Sequence, residues 1–285
     1  MKMKRMAVLG LGDKLKARQI EWAATRGITP DPKGYVPSLD LNLFQPMSPD
    51  TVAEFSRGSG GELRPRRATS PPKIHALHSS SVLACNAFDY WRTAGINLVA
   101  EAFRIDPPHV GRLTFEAQFP TGLPGNPPNL DVALWLESGQ VWAIESKFTE
   151  PFGRKKSGPA FKAKYFPAGL PVWTHHGLPR SAMIASALQS GSVSFGHLDA
   201  AQLLKHALGL QIRGAGRFTL CYLYVGDDAP EGSSHEAEIL QFREAVSGDF
   251  PFVPVSYQAF LRSLRCLVPR NHAAYFAYMA ERYGF

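Results

Sequence analysis

Three charged residues stand inside two stretches that otherwise read as buried. Between Asn126 and Glu150, in NPPNLDVALWLESGQVWAIESKFTE, the apolar runs Leu130 to Leu136 and Val141 to Phe148 carry Asp131, Glu145 and Lys147. A charge inside a buried strand costs several kcal/mol unless it meets a partner or a metal. Glu145 and Lys147 are two residues apart, so a strand points both to one face. There a carboxylate can hold a hard cation while an ammonium stands beside the substrate or an attacking water. The plainer alternative is a structural ion pair in which Lys147 neutralises Glu145, and it leaves Asp131 only a turn to cap.

The segment between the runs, Glu137-Ser138-Gly139-Gln140, is hairpin punctuation, and its length decides whether the carboxylates can cooperate. A two-residue loop at Ser138-Gly139 pairs Glu137 with Gln140 and places Asp131 opposite Ser146, with the two carboxylates on opposite faces. A three-residue loop, Glu137 to Gly139 with Gly139 left-handed, pairs Leu136 with Gln140. Asp131 then falls opposite Glu145 and Ala133 opposite Ala143. Glycine stands where the longer loop requires it, so that loop is the expected one.

Asp131 and Glu145-Ser146-Lys147 on such a hairpin, with Pro128 just ahead and Phe148-Thr149-Glu150 following, resemble the catalytic hairpin of the PD-(D/E)XK nuclease superfamily. The run His78-Ser79-Ser80-Ser81 with Asn86 is similar to a pattern in a bacterial group of restriction-endonuclease-related proteins. By element order the resemblance spans roughly Ser79 to Val225. It implies a restriction endonuclease-like core of the α/β class, a mixed, α+β-like sheet with helices on both faces. It also implies that Asp131 and Glu145 bind Mg²⁺ (or Mn²⁺), that the Ser146 carbonyl adds a ligand, and that Lys147 orients or deprotonates the attacking water. Gln202, on a helical stretch from His197 to Leu210 that places Lys205 and His206 on the same polar side, corresponds to a polar helix beside the site. Some superfamily members supply a further glutamate from the helix before the sheet, and none lies between His78 and Arg92. Glu101 or Glu116 are the candidate replacements. Alternation in Leu113 to Phe119 puts Leu113, Phe115, Ala117 and Phe119 on one face and Glu116 on the other.

The chain has 285 residues, 45% of them hydrophobic, with 31 Lys+Arg against 24 Asp+Glu and a net charge of +7. That length accommodates one substantial core with an extension, and the charge favours a polyanionic partner. Arg154, Lys155, Lys156, Lys162 and Lys164 follow the hairpin directly, with Phe161, Tyr165 and Phe166 interleaved, and are the candidate phosphate-backbone contacts. The Gly-, Ser-, Pro- and Arg-rich stretch Ser56 to Lys73 is a candidate linker, dividing an N-terminal extension (1–73) from a nuclease-like domain (74–285).

Other chemistries fit poorly. No HxxxH helix, Cys pair, G-x-S-x-G elbow or P-loop is present. Cys85, Cys221 and Cys266 read as reduced core residues of a cytoplasmic protein. The apolar run Met6 to Leu11 is too short for a signal-peptide core, and no stretch approaches the ~20 apolar residues of a membrane span. Helices are expected over Leu15 to Arg26, Ser79 to Arg92, Ser234 to Val246, Pro254 to Leu267 and Asn271 to Tyr283, with a buried strand at Phe218 to Val225. The function these features favour is Mg²⁺-dependent endonucleolytic hydrolysis of DNA, with a homodimer left open. The alternatives are a nucleic-acid-binding protein of the same fold without turnover and an enzyme acting on a phosphorylated small molecule. A pure binder has no use for buried carboxylates, and the missing phosphate-loop glycines count against the second.

Overall fold

Five strands and the loops that join them determine where every candidate side chain goes. The computed structural model describes residues 9–59, 61–65, 67, 70–153, 158–214, 216–268 and 270–285. Helices α1 (Leu11–Thr25), α2 (Pro49–Arg57), α3 (Ser80–Phe88), α4 (Trp91–Ala94) and α5 (Ile96–Ala102) precede strands β1 (Val110–Gln118), β2 (Asn129–Leu136) and β3 (Val141–Lys147). Then come α6 (Pro179–Ser190), α7 (Ala200–Gly214), β4 (Phe218–Tyr224), α8 (Pro230–Ala245), β5 (Phe252–Ser256), α9 (Tyr257–Leu267) and α10 (Ala273–Tyr283).

The strands lie in the order β1-β2-β3-β4-β5. The first three are antiparallel, and β3, β4 and β5 are parallel, joined by helical crossovers. This is the mixed sheet of an α/β fold with helices on both faces, consistent with a restriction endonuclease-like core. One face packs on α6, α7 and α8 through Ala133, Ala143, Leu220 and Tyr222. The other packs on α3, α5, α9 and α10 through Val132, Leu134, Ile144 and Leu223, joined there by Trp22, Val36, Leu43 and Phe55 from the N-terminal segment.

Several local expectations are corrected. The helix expected from Ser79 to Arg92 is interrupted after Phe88, although Ser79 Oγ does cap α3 by accepting from the Val82 N–H at 3.4 Å. Pro254 lies in a strand, β5, whereas Ser256, the expected opening residue of the next helix, does cap it at Tyr257. A proline is tolerated there because β5 is the sheet edge. The alternation of β1 also breaks: Leu113 and Phe115 join one core, whereas Ala117 and Phe119 join the other. The break falls at Glu116, whose φ is 51°. Cys85 and Cys221 are buried but Cys266 is exposed, so it is no core residue. Among the described residues no helix is long and apolar enough to cross a membrane.

Candidate active site

The β2–β3 hairpin closes through the longer loop. The Leu136 N–H donates to the Gln140 carbonyl at 2.9 Å, the Gly139 N–H donates back to the Leu136 carbonyl at 2.9 Å, and Gly139 has a φ of 80°. Ala133 is paired with Ala143 as the three-residue loop dictates, and the paired ladder runs on to Val132 and Ile144. Beyond it, the Ser146 N–H donates to a side chain, Asp131 Oδ2, at 2.7 Å. Strand alternation from Ala133 and Ala143, both packed on the α7 side, carries Asp131, Glu145 and Lys147 toward that same face.

Glu145 is buried, and its two carboxylate oxygens have different surroundings. Oε1 accepts from Lys147 Nζ at 2.6 Å, and Lys147 also donates to Gln202 Oε1 at 3.0 Å. Gln202 therefore stands beside the hairpin, in reach of the ammonium. Helix α7 comes this close because of Gly209: a Cβ there would stand 2.2 Å from the Phe119 carbonyl oxygen. Glu145 Oε2 has no hydrogen-bond donor among the described residues. His206 Nε2 lies 3.1 Å from it, without the alignment of a hydrogen bond.

Electrostatics separate the two carboxylates. Burial alone would raise Glu145, but Lys147 and His206 outweigh it and hold the carboxyl down to about 2. Burial, followed by the Glu145 charge, pushes Asp131 well above the usual carboxylate range. Burial works against the Lys147 ammonium, yet Glu145 and Asp131 together raise its pKa. The two carboxylates are thus pushed apart, Asp131 upward and Glu145 downward, as expected when both compete for one ammonium.

Glu116 is buried rather than solvent-facing, and its charge adds to the upward push on Asp131. Asn129 Nδ2 donates to Glu116 Oε2 at 2.6 Å, and Ser59 Oγ donates to Asn129 Oδ1 at 2.7 Å, so the N-terminal segment reaches this edge of the site. Burial raises Glu116 to about 7 despite the Asn129 hydrogen bond. A left-handed backbone costs a non-glycine residue about 1–2 kcal/mol, and such strain is concentrated at functional sites. Glu101 is exposed on α5.

Ser146 is buried, and its hydroxyl hydrogen-bonds the Tyr257 hydroxyl at 2.6 Å, which leaves only its backbone as a candidate ligand. Lys162 is exposed, and Lys164 donates to the Pro124 carbonyl in the loop that leads into β2. Arg154, Lys155 and Lys156 lie outside the described residues. His206 joins the site, although from the sequence alone a metal-ligand role is weighed for it only as one of four histidines and a surface or outer position is favoured, because no HxxxH helix or Cys pair is present. The signal for it is the i, i+4 spacing from Gln202, which stacks both on one side of α7.

Among the described residues no three His, Cys, Asp or Glu side chains converge to hold a metal by themselves. The donor set nevertheless suits a hard cation bound by carboxylates, with water and phosphate completing its shell: Glu145 Oε2 is buried and unsatisfied, and Asp131 is the second carboxylate.

No curated protein and no solved structure shows significant similarity to this chain. The family model described as "Restriction Endonuclease associating with ARP" matches residues 32–284. A match over nearly the whole chain, on a mixed sheet with charged residues at the β2–β3 hairpin, places this protein in that restriction endonuclease-like family.

Proposed function

We propose that the protein is a metal-dependent nuclease of the PD-(D/E)XK type that hydrolyses phosphodiester bonds of DNA. The observation that carries this proposal is the buried Glu145 carboxylate, clamped on one oxygen by Lys147 and left without a donor, among the described residues, on the other. A purely structural ion pair would have both oxygens satisfied, because a buried unpaired carboxylate oxygen costs stability without return.

Asp131 and Glu145 would hold Mg²⁺ or Mn²⁺, with the Ser146 carbonyl as a further oxygen donor and Glu116 as a third acid at the edge. The bound ion would supply Lewis-acid polarisation of the phosphoryl oxygens and a lowered pKa for a coordinated water. Lys147 has three N–H donors, of which Glu145 and Gln202 take two. The third is left to orient the attacking water or to stabilise charge developing on the phosphoryl oxygens. Gln202 positions the ammonium and keeps Lys147 from folding onto Glu145 alone. Ser146, through its N–H, fixes the rotation of the Asp131 carboxylate. Lys162 and Lys164, with Arg154, Lys155 and Lys156 in the same segment, are the proposed backbone contacts.

The test is incubation of the purified protein with linear, supercoiled and single-stranded DNA and with RNA, in Mg²⁺, Mn²⁺ or EDTA. Cleavage of DNA that requires the ion and disappears in Glu145→Gln supports the proposal. Salt-dependent binding with no cleavage in any condition would replace it with a nucleic-acid-binding function.

A further inference from the structure

Hydrolysis by Asp131, Glu145 and Lys147 gives the open Glu145 oxygen a role but leaves the histidine nitrogen that faces it without one. Glu145 Oε2 and His206 Nε2 face each other at 3.1 Å, in side chains 2% and 1% exposed. The ring N–H direction does not meet the carboxylate, and among the described residues neither of these atoms nor His206 Nδ1 has a hydrogen-bond partner. An unsatisfied buried polar atom costs about 1–3 kcal/mol, so this arrangement is expensive unless something bound between the two atoms satisfies both. Their separation points to what that is. Two donors held ~2.1 Å from one octahedral ion, at right angles to each other, stand ~3.0 Å apart and need no hydrogen bond between them.

We propose that His206 Nε2 ligates the same ion as Glu145 Oε2. The proposal rests on the metal-dependent nuclease function above and adds to it a nitrogen donor from α7. An imidazole in the set shifts preference from Mg²⁺, which keeps an all-oxygen shell, toward a first-row transition ion.

The test uses the full chain, stripped of metal with a chelator, then titrated with Mn²⁺ by calorimetry and examined by pulsed electron paramagnetic resonance. The wild type is expected to bind Mn²⁺ with a nitrogen coupling typical of direct imidazole ligation. In His206→Gln that coupling should vanish and Mn²⁺ affinity should fall at least ~10-fold, while Mg²⁺ affinity changes less than ~3-fold. Wild-type protein carrying ¹⁵N-histidine needs no substitution, and its coupling must change to the ¹⁵N pattern. Bound Mn²⁺ without nitrogen coupling in the wild type, or with coupling that persists in His206→Gln, overturns His206 as a ligand and leaves the metal-dependent function standing. Failure of the wild type to bind either ion overturns both.

Discussion

Two buried charges in this molecule are treated in opposite ways. Arg282 is 0% exposed, and a guanidinium has five N–H donors. All five are used: Nε donates to Gln19 Oε1 at 3.1 Å, Nη1 to the Asn42 carbonyl and the Tyr278 hydroxyl at 2.6 Å each, and Nη2 to Asn42 Oδ1 and, at 3.2 Å, the Leu77 carbonyl. The Trp22 ring lies 4.3 Å from its central carbon. The Glu145 cluster is as deeply buried, yet it leaves Glu145 Oε2 and both ring nitrogens of His206 without hydrogen-bond partners among the described residues, the carboxylate and the ring only facing each other at 3.1 Å. A charge that serves stability is closed on all sides. A charge that serves a ligand is open on one, and the open side shows where the ligand goes.

The contrast can be broken most decisively at the open cluster. Asp131→Asn, Glu145→Gln and Lys147→Ala should each lower metal-dependent DNA cleavage by roughly 10³-fold or more, measured as the rate of supercoiled-plasmid nicking at saturating metal. Wild-type rates in any of the three would show that the open side is not catalytic. At the closed cluster the effect should be on stability. Arg282→Met should cost about 3–5 kcal/mol in urea denaturation, because Asn42, Gln19 and the Leu77 carbonyl are deprived of their donor together. A cost under ~1 kcal/mol would mean that the five bonds are idle.

A subtler difference lies in pH. The Asp131 carboxyl titrates higher in the fold than in the unfolded chain, so the folded state binds the extra proton. Stability should then fall as pH rises above the ordinary carboxylate range, a slope that Asp131→Asn lacks. In EDTA the melting temperature of that variant should therefore change less with rising pH than that of the wild type, although the variant is inactive. The same fall of melting temperature with pH in Asp131→Asn and in the wild type would contradict the upward shift. The smallest effect expected is on affinity. Replacing Lys162 and Lys164 by Ala should reduce the salt dependence of DNA binding by about one unit of log-log slope for each phosphate that is no longer neutralised. An unchanged slope places the DNA surface elsewhere.

Whatever depends on near neighbours is legible in the sequence. Gly139 in a four-residue interval is enough to choose the hairpin loop, and the loop sets the partners of Ala133 and the face of Asp131. Gln202 is legible as the polar side of an amphipathic helix, and its place beside the site is legible only through the resemblance. His206 shows the same periodicity, but a histidine on a polar face gives no sign of a carboxylate 61 positions earlier in the chain waiting above it. Glu116 misleads for a different reason: period-two alternation presumes an unbroken extended backbone, and a φ of 51° at that residue removes the premise. Val36 and Leu43 belong to the core, yet the Pro-rich composition around them reads as loop. Arg282 gives no local sign at all, since its acceptors come from α1, residue 42 and residue 77 as well as from its own helix.

Those distant acceptors have a consequence for time rather than for energy. Arg282 bonds to Gln19 across 263 positions, to Asn42 across 240 and to Leu77 across 205. Closing loops of that length costs more entropy than closing the hairpin, so the hub is expected among the later contacts to form. Interactions absent from the transition state act on the rate of unfolding and hardly on the rate of folding. Arg282 is therefore a latch. Its loss is expected to shorten the life of the assembled protein between openings more than it slows the building of the sheet, which the two arms of a urea chevron would read.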